Sequence, residues 1–212
     1  MATQKEYKQR IEILEQELEN APENPDLLNE LGVAYHGLGE YQKAIESYHK
    51  ALQYNSNDHR IHFNLGSAFY EMKQVEQAMS SYMDALDVKA DYVPALTNLA
   101  DLYEIAGEDE KSTEIFEYIA QIDPDNPLSH FNLGNRYLRS NDALKAVRSY
   151  EKALELDPKF EEAYFNIGLI LKHIGKYDRA IEYYEKCLEV NPHHEQAQKD
   201  LAECRKQQQD DS

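Results

Sequence analysis

The sequence predicts an all-α protein built as a stack of antiparallel helix pairs. Three observations carry that prediction. One three-residue word recurs six times at a constant interval of 34 residues: Glu30-Leu31-Gly32, Asn64-Leu65-Gly66, Asn98-Leu99-Ala100, Asn132-Leu133-Gly134, Asn166-Ile167-Gly168 and Asp200-Leu201-Ala202. A fixed period of this size marks stacked supersecondary units rather than one globular core. Within a period the apolar residues fall at steps of three and four, which is the signature of an amphipathic helix. The two helical runs of each period are joined by a link of about two residues, so they must lie antiparallel side by side.

The elements follow in order. Residues 1–24 are expected to form an N-terminal capping helix, with Tyr7, Ile11, Leu14 and Leu18 on one stripe and Pro22 ending it. Five repeats then occupy 25–58, 59–92, 93–126, 127–160 and 161–194. In the first, helix A carries Leu28, Leu31, Ala34, Tyr35 and Leu38, and helix B carries Ala44, Ile45, Tyr48, Ala51 and Leu52. Gly39 stops helix A, because the residue past a helix end often needs the left-handed conformation. The same stop recurs at Lys73, Gly107, Asn141 and Gly175, where Lys73 is the residue type that carries strain. A small residue recurs at Ala44, Ala78, Ser112, Ala146 and Ala180, and a ring at Tyr48, Tyr82, Phe116, Tyr150 and Tyr184. Pro124, Pro158 and Pro192 end three of the B helices, since proline cannot continue a helix. Residues 195–208 are expected to form a C-terminal capping helix through Ala197, Leu201 and Cys204, followed by a disordered tail at 209–212. Polar terminal helices are what a repeat stack needs for solubility.

This pattern of a large residue, Leu-Gly, Tyr, Ala, a ring and Pro at set offsets resembles the tetratricopeptide repeat. Repeat five carries it as Tyr164, Ile167-Gly168, Ala180, Tyr184 and Pro192, and repeat four as His130, Leu133-Gly134, Tyr137, Ala146, Tyr150 and Pro158. Repeat three departs most, with Ala100, Asp109 and Ser112. The resemblance implies a right-handed α-solenoid whose A helices line a concave groove for an extended peptide or a partner's helix. It also implies a protein-interaction role without catalysis. The family's clamp for C-terminal carboxylates is not carried over, because its positions hold Asn29, Val33, Asn64, Pro94 and Asn98, of which only Asn64 matches.

Composition narrows the partners. The 212 residues carry a formal charge of −18, from 40 acidic and 22 basic side chains. Such a chain repels phosphate backbones and anionic lipid surfaces, so neither nucleic acid nor membrane is expected as a partner. The opening residues hold no apolar run, and no stretch approaches a membrane span, so a cytoplasmic protein is expected. Phosphate-loop, dinucleotide, zinc-protease and serine-hydrolase motifs are absent from the sequence, and no cofactor, metal site or catalytic residue is expected. His62 and His130 stand where the family often has Trp and are read as packing residues. Cys187 and Cys204 match no metal or redox spacing and are expected to be free, packed thiols.

Binding is therefore where chemistry is sought. Asn64, Asn98, Asn132 and Asn166 form a ladder at one position of successive A helices. A carboxamide donates and accepts, so each can pair with a peptide main chain of any sequence; the alternative is local bonding within the repeat. The preceding position offers Phe63, Phe131 and Phe165, an apolar wall that Tyr70, Leu138 and Leu169 extend. Arg139 and Lys172 are candidates for an acidic ligand side chain. Arg136 replaces an aliphatic residue of the other repeats, which predicts a carboxylate beside it. The reading is a monomeric module holding a protein or peptide ligand in its groove. Its rivals are a scaffold or self-assembling protein, dimeric through the Tyr7, Ile11, Leu14 and Leu18 stripe, and a regulatory or substrate-binding domain of an enzyme complex.

Overall fold

The computed structural model describes residues 3–210. Among the described residues there are twelve α-helices and no strand. They fall into two compact units divided after Gly107, inside the third expected repeat. Unit 1 holds α1 (Gln4–Asn20), α2 (Pro25–Gly37), α3 (Tyr41–Tyr54), α4 (His59–Glu71), α5 (Val75–Val88) and α6 (Val93–Ile105). Unit 2 holds α7 (Asp109–Ile122), α8 (Pro127–Arg139), α9 (Ala143–Leu156), α10 (Glu161–His173), α11 (Tyr177–Val190) and α12 (Glu195–Asp210). Within each unit every helix packs on its neighbours in sequence.

The repeated word has a steric basis. A Cβ on Gly32, Gly66, Gly134 or Gly168 would lie 2.4, 2.7, 2.6 or 2.8 Å from a ring atom of Tyr48, Tyr82, Tyr150 or Tyr184. Each ring lies on bare backbone of the A helix 16 residues earlier and is almost wholly buried. Close packing of this kind leaves no room for one more carbon. The five turns also share one conformation, with φ of 79° at Gly39, 59° at Lys73, 78° at Gly107, 59° at Asn141 and 72° at Gly175. Lys73 thus adopts the left-handed region that glycine and asparagine take more cheaply.

Helix starts divide into two kinds. Asn24, Asp58 and Asn126 cap α2, α4 and α8 by accepting from backbone N–H groups of the first turn, whereas Tyr92 and Phe160, at the same register before α6 and α10, make no side-chain cap. Those two rings instead meet a phenylalanine 29 residues earlier: Tyr92 meets Phe63 at 5.4 Å and Phe160 meets Phe131 at 4.7 Å. His194 does both, stacking on Phe165 at 4.7 Å while Nδ1 accepts from Ala197 N–H.

The first and last helices close the units. Ile11 and Leu14 of α1 are buried against Leu31 and Ala34, Leu18 packs beside them, and the Tyr7 ring covers Gly37. The stripe considered for dimerisation is thereby consumed inside unit 1. Ala197, Leu201 and Cys204 of α12 join the core that holds Tyr184 and Cys187. The helix continues to Asp210, so positions 209 and 210 are helical where a disordered tail was expected; 211 and 212 lie outside the described residues. Both thiols are free and buried, and burial pushes the Cys187 thiol up to about 11.

Candidate binding face

The ladder asparagines do not share one environment. Asn98 Nδ2 donates to the Tyr82 hydroxyl at 3.1 Å, and that hydroxyl donates to Ser67 Oγ at 3.4 Å. Asn166 stands by the Tyr150 hydroxyl, and its Nδ2 reaches Asn135 Oδ1 at 3.5 Å, a weak contact. Asn135 Oδ1 accepts from that same Tyr150 hydroxyl at 2.7 Å. Asn64 Nδ2 donates sideways to Asn29 Oδ1 at 3.0 Å. Asn132, half-buried on α8, makes no side-chain hydrogen bond among the described residues.

For three rungs the difference follows the residue 16 positions earlier. Asn98 follows Tyr82 and Asn166 follows Tyr150, but Asn132 follows Phe116, a ring with no hydroxyl; Asn64 follows Tyr48 and turns to Asn29 instead. Arg136 lies one turn along α8 from Asn132, with its guanidinium carbon 4.4 Å from the Phe116 ring centroid. Sequence alone predicts a carboxylate beside Arg136; the structure lays its guanidinium over this ring, a cation–π contact that suits a weakly hydrated cation.

Burial pushes the Tyr150 phenol up to about 12, against the opposing hydrogen bond from Asn166. It raises Tyr82 as well, opposed there by Ser67 and Asn98. Asn98 and Asn166 thus meet neutral phenols.

The apolar wall is part of the packing rather than a bare surface. Phe63, Phe131 and Phe165 are half-buried and sit 5.7, 5.5 and 5.9 Å from the rings of Tyr82, Tyr150 and Tyr184. The other three expected wall residues line two recesses. Tyr70 borders a small one of about 100 Å³ in unit 1, together with Asn98, Asp101 and Leu102. Leu138 and Leu169 border one of about 440 Å³ in unit 2, together with Ala143, Ile170, His173 and Ile174.

Lys172 is committed internally. Its Nζ bridges Asp200 at 2.7 Å and Glu203 at 2.6 Å on α12. Burial works against its charge, but the two carboxylates hold the ammonium above its ordinary value. The expectation that Lys172 is available to a ligand is corrected accordingly. Arg139 is exposed at the end of α8. His62 and His130 reach back to loop carbonyls, Nε2 lying 2.9 Å from Ser56 O and 2.8 Å from Pro124 O. Among the described residues no group of three or more His, Cys, Asp or Glu is placed to hold a metal, and no helix is long and apolar enough to cross a membrane.

Asn135 was not among the candidates, although it occupies the groove register of Val33, Ser67, Asp101 and Leu169. The signal was an amide three residues after a ladder asparagine, on the same helix face.

Stacked helix pairs with a polar rung and an apolar flank define a helical-repeat interaction module. Tetratricopeptide repeat models match residues 13–46, 59–92 and 161–194, and a TPR repeat model matches 35–73 and 134–175. The chain belongs to the tetratricopeptide repeat family. No curated protein matches it in sequence. Among solved structures it is similar to the C-terminal part of a TPR repeat-containing protein from Cytophaga hutchinsonii, at 22% identity over 93% of this chain and 80% of that one, with a TM-score of 0.79. It is similar to MamA at 23% identity, 76% and 95% coverage and a TM-score of 0.68. It is also similar to YrrB, described as a TPR protein with an unusual peptide-binding site, at 16% identity, 87% and 95% coverage and a TM-score of 0.70. At these identities the likeness concerns the fold.

Proposed function

We propose that the chain is a non-catalytic interaction module that holds an extended peptide or partner segment against its A helices, with the asparagines gripping main chain and the phenylalanine flank selecting side chains. The observation that carries the reading is Asn132. A half-buried carboxamide with no internal hydrogen bond offers a donor pair and an acceptor at a fixed position. Asn98 commits an N–H to Tyr82 and Asn166 turns its amino group to Tyr150 and Asn135, and both keep the amide oxygen for a ligand. YrrB, a neighbour of the same fold, has a peptide-binding site, which agrees with this class of ligand.

The test is a displayed peptide library screened against the purified protein, with the selected peptide titrated by calorimetry. Asn132→Ala should weaken binding by ~0.5–1.5 kcal/mol, the cost of one lost hydrogen bond. Lys152→Ala, an exposed change on α9, should leave it unaltered. Phe131→Ala is the poorer probe, because its contacts with Tyr150 and Phe160 make it a stability variant as well. Wild-type affinity in Asn132→Ala would make the ladder architectural and remove the proposal's main support.

A further inference from the structure

Eight histidines lie along the chain, and among the described residues His62, His130 and His194 make hydrogen bonds through the ring. His62 and His130 point Nε2 at the carbonyls of Ser56 and Pro124, so the ring donates, and it donates equally well as the imidazolium. His194 is of the opposite kind. A backbone N–H can only donate, so His194 Nδ1, 3.1 Å from the Ala197 nitrogen, must accept. This fixes the tautomer with its proton on Nε2, and the bond exists only while the ring is neutral.

Ala197 is the third residue of α12, and the His194 carbonyl accepts the first helical bond, from Gln198 N–H at 3.1 Å. His194 is therefore the N-cap of the closing helix. At the same register Asn24, Asp58 and Asn126 are caps whose acceptors take up no proton near neutral pH. Tyr92 and Phe160 at that register meet a phenylalanine and cap nothing. His194 joins both roles, at the cost of an acceptor that a proton can occupy.

Protonation acts twice in one direction. It occupies the Nδ1 lone pair, and it sets a positive charge at a helix N-terminus, where the dipole is already positive. The charged groups on the elements around the ring are Glu161 and Glu162 on α10, Glu189 on α11, His193 in the link, and Glu195 and Lys199 on α12. Glu161 accepts from Asn191, Glu195 lies 4.0 Å from Lys199, and among the described residues none of these groups makes an ion pair with the ring. No carboxylate is thus placed to hold an imidazolium in the cap. The ring is half-buried, so solvent protons reach it.

We propose that His194 is a proton-sensitive cap that releases the first turn of α12 on acidification. The capped form binds one proton fewer than the released form. Its stability is therefore fully present above the range in which an imidazole titrates and is lost as pH falls through that range, from about 8 to about 5. The release reaches the binding face. The His194 ring is the partner of Phe165, and Gln196, in the released turn, donates to the Asp200 carboxylate that holds Lys172. A cap biases the local opening equilibrium by a factor on the order of five rather than switching it fully. The device stands on the cap geometry and does not need the asparagine grip.

Amide exchange followed by two-dimensional NMR tests it on the whole chain. Protection factors, which remove the intrinsic pH dependence of exchange, should fall about fivefold at Ala197 and Gln198 from about pH 7.5 to about pH 5.5. The fall should track the titration of the His194 ring protons, while amides in the middle of α4 and α8 stay level. His194→Asn, which caps as Asn24 and Asn126 do and does not titrate, should keep its protection at both pH values. His194→Phe, a ring without an acceptor like Phe160, should show the low value at both. A flat wild-type profile would overturn the proposal, and so would full protection in His194→Phe. An equal fall in His194→Asn would overturn it as well, by moving the titrating group to His193 or to a carboxylate.

Discussion

Tyr70, Asp101 and Leu102 border a recess in unit 1, and Leu138, Leu169 and Ile170 border one in unit 2. These are the same three positions two periods apart, since 138 − 70 = 68 = 2 × 34. The first recess is about 100 Å³, with an acid, an amide and two phenols in its lining; the second is about 440 Å³ and lined mostly by aliphatic side chains, beside Asn141 and His173. The comparison teaches that the repeat specifies backbone placement and leaves the surface chemistry open. The residues that define the period are buried, and those that distinguish the units lie at positions the backbone does not constrain.

The buried set is where the largest effect is expected. Tyr82 and Tyr150 occupy the same register and both cover a glycine, so Tyr82→Ala and Tyr150→Ala should each cost about 3–5 kcal/mol, as large-to-small core changes do. Hydrogen exchange should localise the lost protection to α4 and α5 in the first variant and to α8 and α9 in the second, because repeat stability is a sum of local terms. Uniform loss over all helices in both variants would contradict that locality.

Alkaline pH strikes the same residues. Burial raises the phenols of Tyr48, Tyr82, Tyr150 and Tyr184, and Tyr150 reaches about 12. A pKa raised in the folded state contributes stability that is fully present below the unfolded value near 10 and lost as pH rises through the folded value. Helical circular dichroism should therefore hold to about pH 10 and fall as pH approaches about 12, with phenolate absorbance rising in step. Substantial ionisation of all sixteen tyrosines by about pH 10.5 with helicity intact would break the account.

The fold was legible because its signals act within one period. A glycine meets a tyrosine 16 residues on, and a left-handed turn falls at a constant offset, both visible as spacing. The face was less legible because its chemistry depends on pairs of positions. Whether Asn98 or Asn132 keeps its amide free is decided by Tyr82 or Phe116, and whether Phe63 is bare is decided by Tyr92. Lys172 looked like a free cation because its partners, Asp200 and Glu203, lie 28 and 31 residues away on the closing helix. The recess in unit 2 depends on side-chain volume at the helix ends, which spacing does not report.

The smallest expected effect tests the rung itself. Phe116→Tyr adds the hydroxyl that Tyr82 and Tyr150 already supply at that register. Placed as Tyr82 and Tyr150 are, it would meet the Asn132 amide, and Arg136 can still lie over the ring. A new buried hydrogen bond contributes ~0.5–1.5 kcal/mol, so stability in urea should rise by about that amount. Ligand grip should weaken as Asn132 gains an internal partner. Tyr82→Phe is the reverse change: it should cost a similar amount and release the Asn98 amide. Both substitutions conserve the ring, so packing differences stay small. The decisive observation is the sign. If Phe116→Tyr destabilises the chain, the added hydroxyl is buried without a partner, and the free amide of Asn132 is not the consequence of a missing phenol.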